Sequence, residues 1–217
     1  MVFSRCSSAD RVVEFGSGDG SPVIHSLLRT PFQGIIHGYE LNSTACQVAQ
    51  NRIQQYQLGQ QYLVRHQCFF TGWRQHAATY IIANPPYLPA PDNDLYLPAL
   101  HGGADGSGIT CKLLSLGCDH VLSLISAYSN PVDTIEYALD HGYQVADFMI
   151  SPLKFGYYSS EPKVKNTIKA LRSARKAFYS DNIYLLAGVL FQRHHTIRNS
   201  TSSTDLSKEL LQVITAF

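Results

Sequence analysis

Arg11-Val12-Val13-Glu14-Phe15-Gly16-Ser17-Gly18-Asp19-Gly20 is a short apolar run that enters a glycine turn, and residues 22–28 after it read as the opening of a helix. A strand passing through glycines into a helix begins a parallel α/β arrangement, and the glycines let a ligand approach the backbone closely. A tight structural turn is the plainer reading of these glycines taken alone. Their spacing is G-x-G-x-G, with Ser21 where a dinucleotide G-x-G-x-x-G has its third glycine, which argues against NAD or FAD.

The pattern continues outward. Residues 34–39 form a second strand ending at Glu40, residues 43–56 have helical apolar spacing, and residues 62–70 and 79–83 read as the third and fourth strands. After a loop over 88–107, rich in Pro, Gly and Asp, come a helix at 109–117, a strand at 120–126, a helix at 132–141 and a strand at 143–152. A basic helix at 161–179 precedes the seventh strand, 183–193. Strands and helices alternating in this way predict a mostly parallel sheet with helices on both faces. Ligands of such sheets sit beyond the carboxyl ends of the strands. The glycine turn, Glu40 and the residues after the fourth strand all fall at such ends.

Those last residues are Asn84-Pro85-Pro86-Tyr87, directly after the apolar Tyr80-Ile81-Ile82-Ala83. Two prolines remove two backbone donors and fix two φ angles, so the strand stops in a rigid, extended turn. The turn offers an amide side chain, free carbonyls and an aromatic face together. That set suits a planar –NH2 group, its hydrogens on the Asn84 side-chain oxygen and a proline carbonyl, its plane on Tyr87. Glu40, twenty residues past Gly20, is placed to accept both hydroxyls of a ribose; an exposed carboxylate at a strand end is the bland alternative.

With 217 residues the chain is long enough for one α/β domain with a sizeable core. A net charge of +1 gives the whole molecule no electrostatic preference for nucleic acid or membrane. The five cysteines contain no C-x-x-C pair, so reduced thiols in a cytosolic protein are expected. Scattered histidines give no metal-ligand spacing, and no metal is expected. No apolar leader and no run of membrane-spanning length is read, and the expected location is cytoplasmic.

The order acidic-G-x-G-x-G, strand-end Glu, then N-P-P-Y resembles the class I S-adenosylmethionine-dependent methyltransferases. More narrowly it is similar to the HemK/PrmC-type and "small-domain" amino-methyltransferases that carry N-P-P-Y. Leu100-His101-Gly102-Gly103-Ala104-Asp105-Gly106 is similar to the A-L-x-G-G-x-D-G segment that follows N-P-P-Y in the HemK group. The resemblance spans residues 11–193. It implies a Rossmann-like, mostly parallel seven-stranded sheet with an antiparallel last strand, a methyltransferase domain over 1–195, and S-adenosylmethionine as cofactor.

The resemblance also implies roles. Gly16, Ser17, Gly18 and Gly20 would lie against the methionine part of the cofactor, with Glu14 near its amino group and Phe15 beside them. Glu40 would meet the ribose, with Leu41 next to it. Cys68 and Phe69, or Gln67, stand where the family usually has an Asp or Asn for the adenine amino group. Asn84, Pro85, Pro86 and Tyr87 would hold the nitrogen to be methylated. His101 and Asp105 are further groups able to take a proton.

This chain departs from the HemK pattern in having about ten residues before the first strand, where that group carries a release-factor-docking helical domain. The segment 163–176 holds six basic residues and no acid. A solvated helix face is its default reading; docking of an acidic or phosphate-bearing partner is the other. Residues 196–217 read as a polar tail ending in a short amphipathic segment at 206–214. The expected function is N-methyl transfer to a protein glutamine, a nucleobase or a small metabolite. A cofactor-binding module of the same fold with a regulatory role is the alternative.

Overall fold

The computed structural model describes residues 6–7, 10–194 and 205–217. The chain divides into two compact units, one ending at Asn84 and the other starting at Pro85.

The first unit contains β1 (Arg11–Phe15), α1 (Ser21–Leu27), β2 (Ile35–Glu40), α2 (Ser43–Gln55), β3 (Tyr62–His66), α3 (Phe69–Gly72) and β4 (Tyr80–Ala83). β1 pairs in parallel with both β2 and β4, and β2 with β3. Val12, Val13 and Ile81 are fully buried, as expected for central parallel strands covered on both faces. Tyr62 lies toward Ile24 of α1 and Ala49 of α2, all three meeting around Gly20. On β2, Tyr39 instead packs edge-on against Phe69 of α3, at 5.7 Å between ring centroids. Helices therefore cover both faces of these four strands. α2 starts where the Ala45 N–H donates to the Asn42 side chain at 3.0 Å, an ordinary N-cap.

The third strand stops at His66, not at residue 70. Cys68 is the N-cap of the short helix α3, which turns Phe69 into contact with Phe15, Tyr39 and Phe70. An apolar run has no visible period over three residues, so Cys68-Phe69-Phe70 reads as a strand when it is a turn of helix.

The second unit contains α4 (Gly108–Leu114), β5 (His120–Ser126), α5 (Pro131–Asp140), β6 (Tyr143–Lys154), α6 (Pro162–Ser173), β7 (Ile183–Arg193) and α7 (Ser207–Ile214). β7 runs antiparallel to both β5 and β6. The seven strands follow the order β3-β2-β1-β4-β5-β7-β6. This is the predicted mostly parallel sheet with an antiparallel last strand.

α6 is shorter than the predicted basic helix, because Arg175 adopts a left-handed φ of 59° and stops it. The chain then returns through Ala177 into a cluster with Leu88, Ala90, Tyr128, Val164 and Ile168. α7 buries Leu210 and Ile214 completely, and the Leu206 N–H donates to the Val145 carbonyl at 3.0 Å. Of the Ser/Thr-rich stretch at 196–207, residues 196–204 lie outside the described residues. No helix among the described residues is long and apolar enough to cross a membrane.

Candidate functional site

The register of the first unit brings the predicted residues to one edge. Phe15 lies opposite Tyr39 on one side and Ala83 on the other, so Glu40, the last residue of β2, stands level with Gly16 and Asn84, each one step past the end of its own strand. Gly16, Gly18 and Gly20 have φ of 66°, 55° and 75°, the left-handed region that only glycine enters cheaply. The Gly16 and Ser17 N–H groups both donate to the Tyr39 carbonyl, at 3.0 and 3.1 Å, which ties the turn to the end of β2.

Glu40 does more than close its strand. Its Oε2 accepts the Gly18 N–H and its Oε1 accepts the Asn42 N–H, both at 2.7 Å. Each carboxylate oxygen keeps a further lone pair, so two hydroxyls can still be accepted. At the far end of the turn, Arg52 of α2 donates to Asp19 and to the Ser21 hydroxyl.

Glu14 is buried, and the Tyr62 hydroxyl donates to its carboxyl. Burial raises the Glu14 pKa from 4.5 to about 7, against the pull of the Tyr62 hydrogen bond. The Ser17 hydroxyl lies close to Glu14 and Tyr62, yet it is buried with no completed hydrogen bond.

The remaining cofactor candidates divide. Cys68 is half-buried, and its carbonyl accepts from the Thr71 N–H and hydroxyl. Leu41 is 69% exposed, with its carbonyl against His66 Nε2. The Phe69 ring is committed to packing, stacked at 6.3 Å on Trp73 and edge-on to Phe15 at 5.4 Å. Asn84 is exposed, although the β4 residues just before it are all buried.

In the second unit Pro85 is buried, and Pro86 and Tyr87 are half-buried. The Tyr87 carbonyl accepts the Ser129 hydroxyl at 2.7 Å, and its ring lies 6.0 Å from Tyr128. The loop behind it is held by a compact set of main-chain bonds. Leu88 N–H donates to Leu100 O, Gly102 N–H to Leu88 O, and Ala90 N–H to Gly103 O, all within 3.1 Å. Gly102 and Gly106 are required by contact: a Cβ on Gly102 would stand 2.7 Å from Tyr87 Cα, and one on Gly106 2.5 Å from the Tyr87 carbonyl oxygen. The G-G-x-D-G segment thus packs against the backbone of Pro86 and Tyr87.

Asp105 is structural. It accepts from the Ser107 N–H and hydroxyl on one oxygen and from Asn130 at 2.6 Å on the other. Burial works against its charge, but those hydrogen bonds prevail and hold its carboxyl below the usual range. A carboxylate so satisfied is a poor proton acceptor. His101 Nε2 is occupied by the Ala90 carbonyl at 3.0 Å.

Residues that motif reading missed are Ser129, Tyr62 and the apolar side of α6. Ser129 is 42 positions from Tyr87 and carries no local signal. Val164, Ile168 and Leu171 have helical spacing in the sequence, but they stand among six basic residues that mask the apolar side.

No family model matches the chain. It is 33% identical over 109 residues to a release factor glutamine methyltransferase of Thermosynechococcus vestitus, covering 43% of this chain and 36% of that protein. The matched region therefore spans about a third of the curated relative. Among solved structures, the chain is similar to a Streptococcus pneumoniae protein provisionally described as a tRNA (m1A22) methyltransferase. The TM-score is 0.56 at 14% identity, over 96% of this chain and 76% of that one. It is also similar to a protein of Pyrococcus horikoshii provisionally described as an RNA methyltransferase, with TM-score 0.51 at 12% identity over 87% and 76%. At such identities the likeness is one of fold, and that fold is the class I methyltransferase sheet.

Proposed function

We propose that the chain is an S-adenosylmethionine-dependent methyltransferase that transfers a methyl group to a planar amide or amino nitrogen. The observation that carries this reading is the exposed Asn84 at the edge shared by the glycine turn and Glu40. The partial identity to a glutamine methyltransferase supports it.

The residues of the first unit fit the cofactor. Space is open in front of Gly16 and Gly18, where no atom lies within 4 Å of an added Cβ. Glu40 has acceptor capacity left. Glu14, Phe15, Gly16, Ser17, Gly18 and Gly20 would receive the methionine end, and Glu40 with Leu41 the ribose. Cys68 would offer main-chain contacts toward the adenine, with Phe69 supporting it from the core. When bound, the cofactor supplies an electrophilic methyl on a sulfonium.

The chain's own residues supply position and charge. An amide or aromatic amine nitrogen is a weak nucleophile because its lone pair is delocalised. With its two hydrogens on the Asn84 side-chain oxygen and the Pro85 carbonyl, the nitrogen is drawn toward a pyramidal shape with the lone pair free. The same acceptors stabilise the positive charge that develops on it. Pro86 stiffens the turn and Tyr87 presents its ring to the flat acceptor. Orientation of two reactants supplies up to about 7–11 kcal/mol in favourable cases. The methylated nitrogen is acidic, so no dedicated base is assigned.

Transfer of label from tritiated S-adenosylmethionine to a cell extract tests the reading, with Asn84→Ala as control. The expected result is transfer by the native chain and none by the variant, whose cofactor binding by titration calorimetry stays intact. Cofactor binding without transfer by the native chain would make it a regulatory module, and absence of cofactor binding would end the proposal.

A further inference from the structure

We propose that the second unit carries a docking surface for single-stranded nucleic acid, formed by an exposed tyrosine platform at the start of α6 and a basic row along the helix. Tyr96, Tyr157 and Tyr158 are 58%, 73% and 40% exposed, unusual for three aromatic rings linked through Tyr157. Tyr96 and Tyr157 lie 5.6 Å apart with planes only 31° from parallel, and Tyr158 meets Tyr157 edge-on at 5.3 Å.

The platform is built in. The Tyr96 N–H donates at 2.9 Å to the buried Glu161 carboxylate, directly before α6. Lys163 bonds Asp92 Oδ1 and the Asp94 carbonyl at 2.7 Å, pinning the loop that carries Tyr96 to the first turn of the helix. Val164 and Ile168 are buried beneath, in the cluster that also receives Tyr87. Asp92 and Asp94 are thus paired with Lys163, and Glu161 with the Tyr96 N–H.

Beyond that turn the helix presents Lys165, Lys169 and Arg172, all exposed and spaced to share one face. Every base has a π-face, so exposed aromatic rings beside a cationic row match the chemistry of unpaired bases on a phosphate backbone. An acidic peptide would use the cations and leave the rings idle. A duplex hides its base faces within the stack.

The inference deepens the proposed function, since it makes the acceptor nitrogen that of a nucleobase, and it rests on that reading for this consequence alone. The test is fluorescence anisotropy of the full chain with short mixed-sequence single-stranded RNA and DNA, the matching duplexes, and a polyglutamate peptide. Binding of at least one single strand is expected, weakening steeply from about 50 to about 200 mM salt. Tyr96→Ala with Tyr157→Ala should weaken it about tenfold or more, while Tyr96→Phe with Tyr157→Phe preserves it. Lys165→Gln, Lys169→Gln and Arg172→Gln together should weaken it and flatten the salt dependence.

No single-strand binding, insensitivity to the alanine pair, equal affinity for duplex, or preference for polyglutamate would each overturn the inference. Cofactor titration on the same samples separates the two proposals. Cofactor binding without strand binding sinks only the docking surface, and strand binding without cofactor binding sinks only the methyltransferase reading.

Discussion

The Gly18 N–H donates to Glu40 Oε2 at 2.7 Å, so the glycine turn after β1 is fastened to the carboxyl end of β2 by the side chain proposed to receive the ribose. With the second oxygen on Asn42, one carboxylate sets the shape of the turn and the entry to α2 together.

Replacing Glu40 should therefore act twice. Glu40→Ala removes two charge-assisted acceptors, each worth about 1.5–3 kcal/mol, along with the ribose contact. We expect affinity for S-adenosylmethionine to fall at least about tenfold, with Glu40→Gln losing less because one oxygen remains. Unchanged affinity of Glu40→Ala in calorimetry would remove the residue from the site.

Cofactor binding should depend on pH through Glu14. Burial holds its carboxyl at about 7, and a cationic ligand favours the ionised form. Affinity should rise with pH and level off above about 7. Tyr62→Phe removes a hydrogen bond that favours ionisation, so the rise should move to higher pH. For the unliganded fold the sign is opposite. The folded-state value lies above the ordinary 4.5, so this contribution is present below pH 4.5 and is lost as pH climbs through about 7. Calorimetric titrations and urea melts across that window check both trends, and flat profiles would contradict them.

Gly106→Ala should damage the N-P-P-Y turn from behind. The position has φ of 84°, and the new methyl would stand 2.5 Å from the Tyr87 carbonyl oxygen and 2.8 Å from Ser129 Cβ. Left-handed strain and overpacking together cost about 2–4 kcal/mol. Urea denaturation should show that loss, and methyl transfer should drop while S-adenosylmethionine still binds. Native stability in this variant would mean the loop yields easily.

Tyr87 variants separate ring from hydroxyl. Tyr87→Phe keeps the contact with Tyr128 and any stacking on the acceptor, so transfer should fall only mildly. Tyr87→Ala removes the ring and should be severe, lowering stability as well by about 3–5 kcal/mol at most, less for a half-buried ring. Equal activity of the two variants would dismiss stacking.

The fold was legible because its strands are short apolar runs cut by strong punctuation. Glycines end β1, two prolines end β4, and β5 and β7 match their apolar stretches residue for residue. The edge that collects Gly16, Glu40 and Asn84 followed from parallel order alone. What stayed hidden was relational. The bonds of Glu40 to backbone N–H groups need coordinates, as does the Ser129 hydroxyl on Tyr87. The Asp105 carboxylate looked free for chemistry in sequence, and only its partners Ser107 and Asn130 show it to be spent on the loop.

α6 has a consequence for how this molecule can change. Its inward side chains are constrained by the cluster they hold in place, whereas Lys165 and Lys169 stand exposed on the outer row and Arg172 lies over the Tyr179 ring at 4.2 Å. Exchanging a handful of these surface positions would alter what the proposed docking face accepts and leave the packed side of the helix undisturbed.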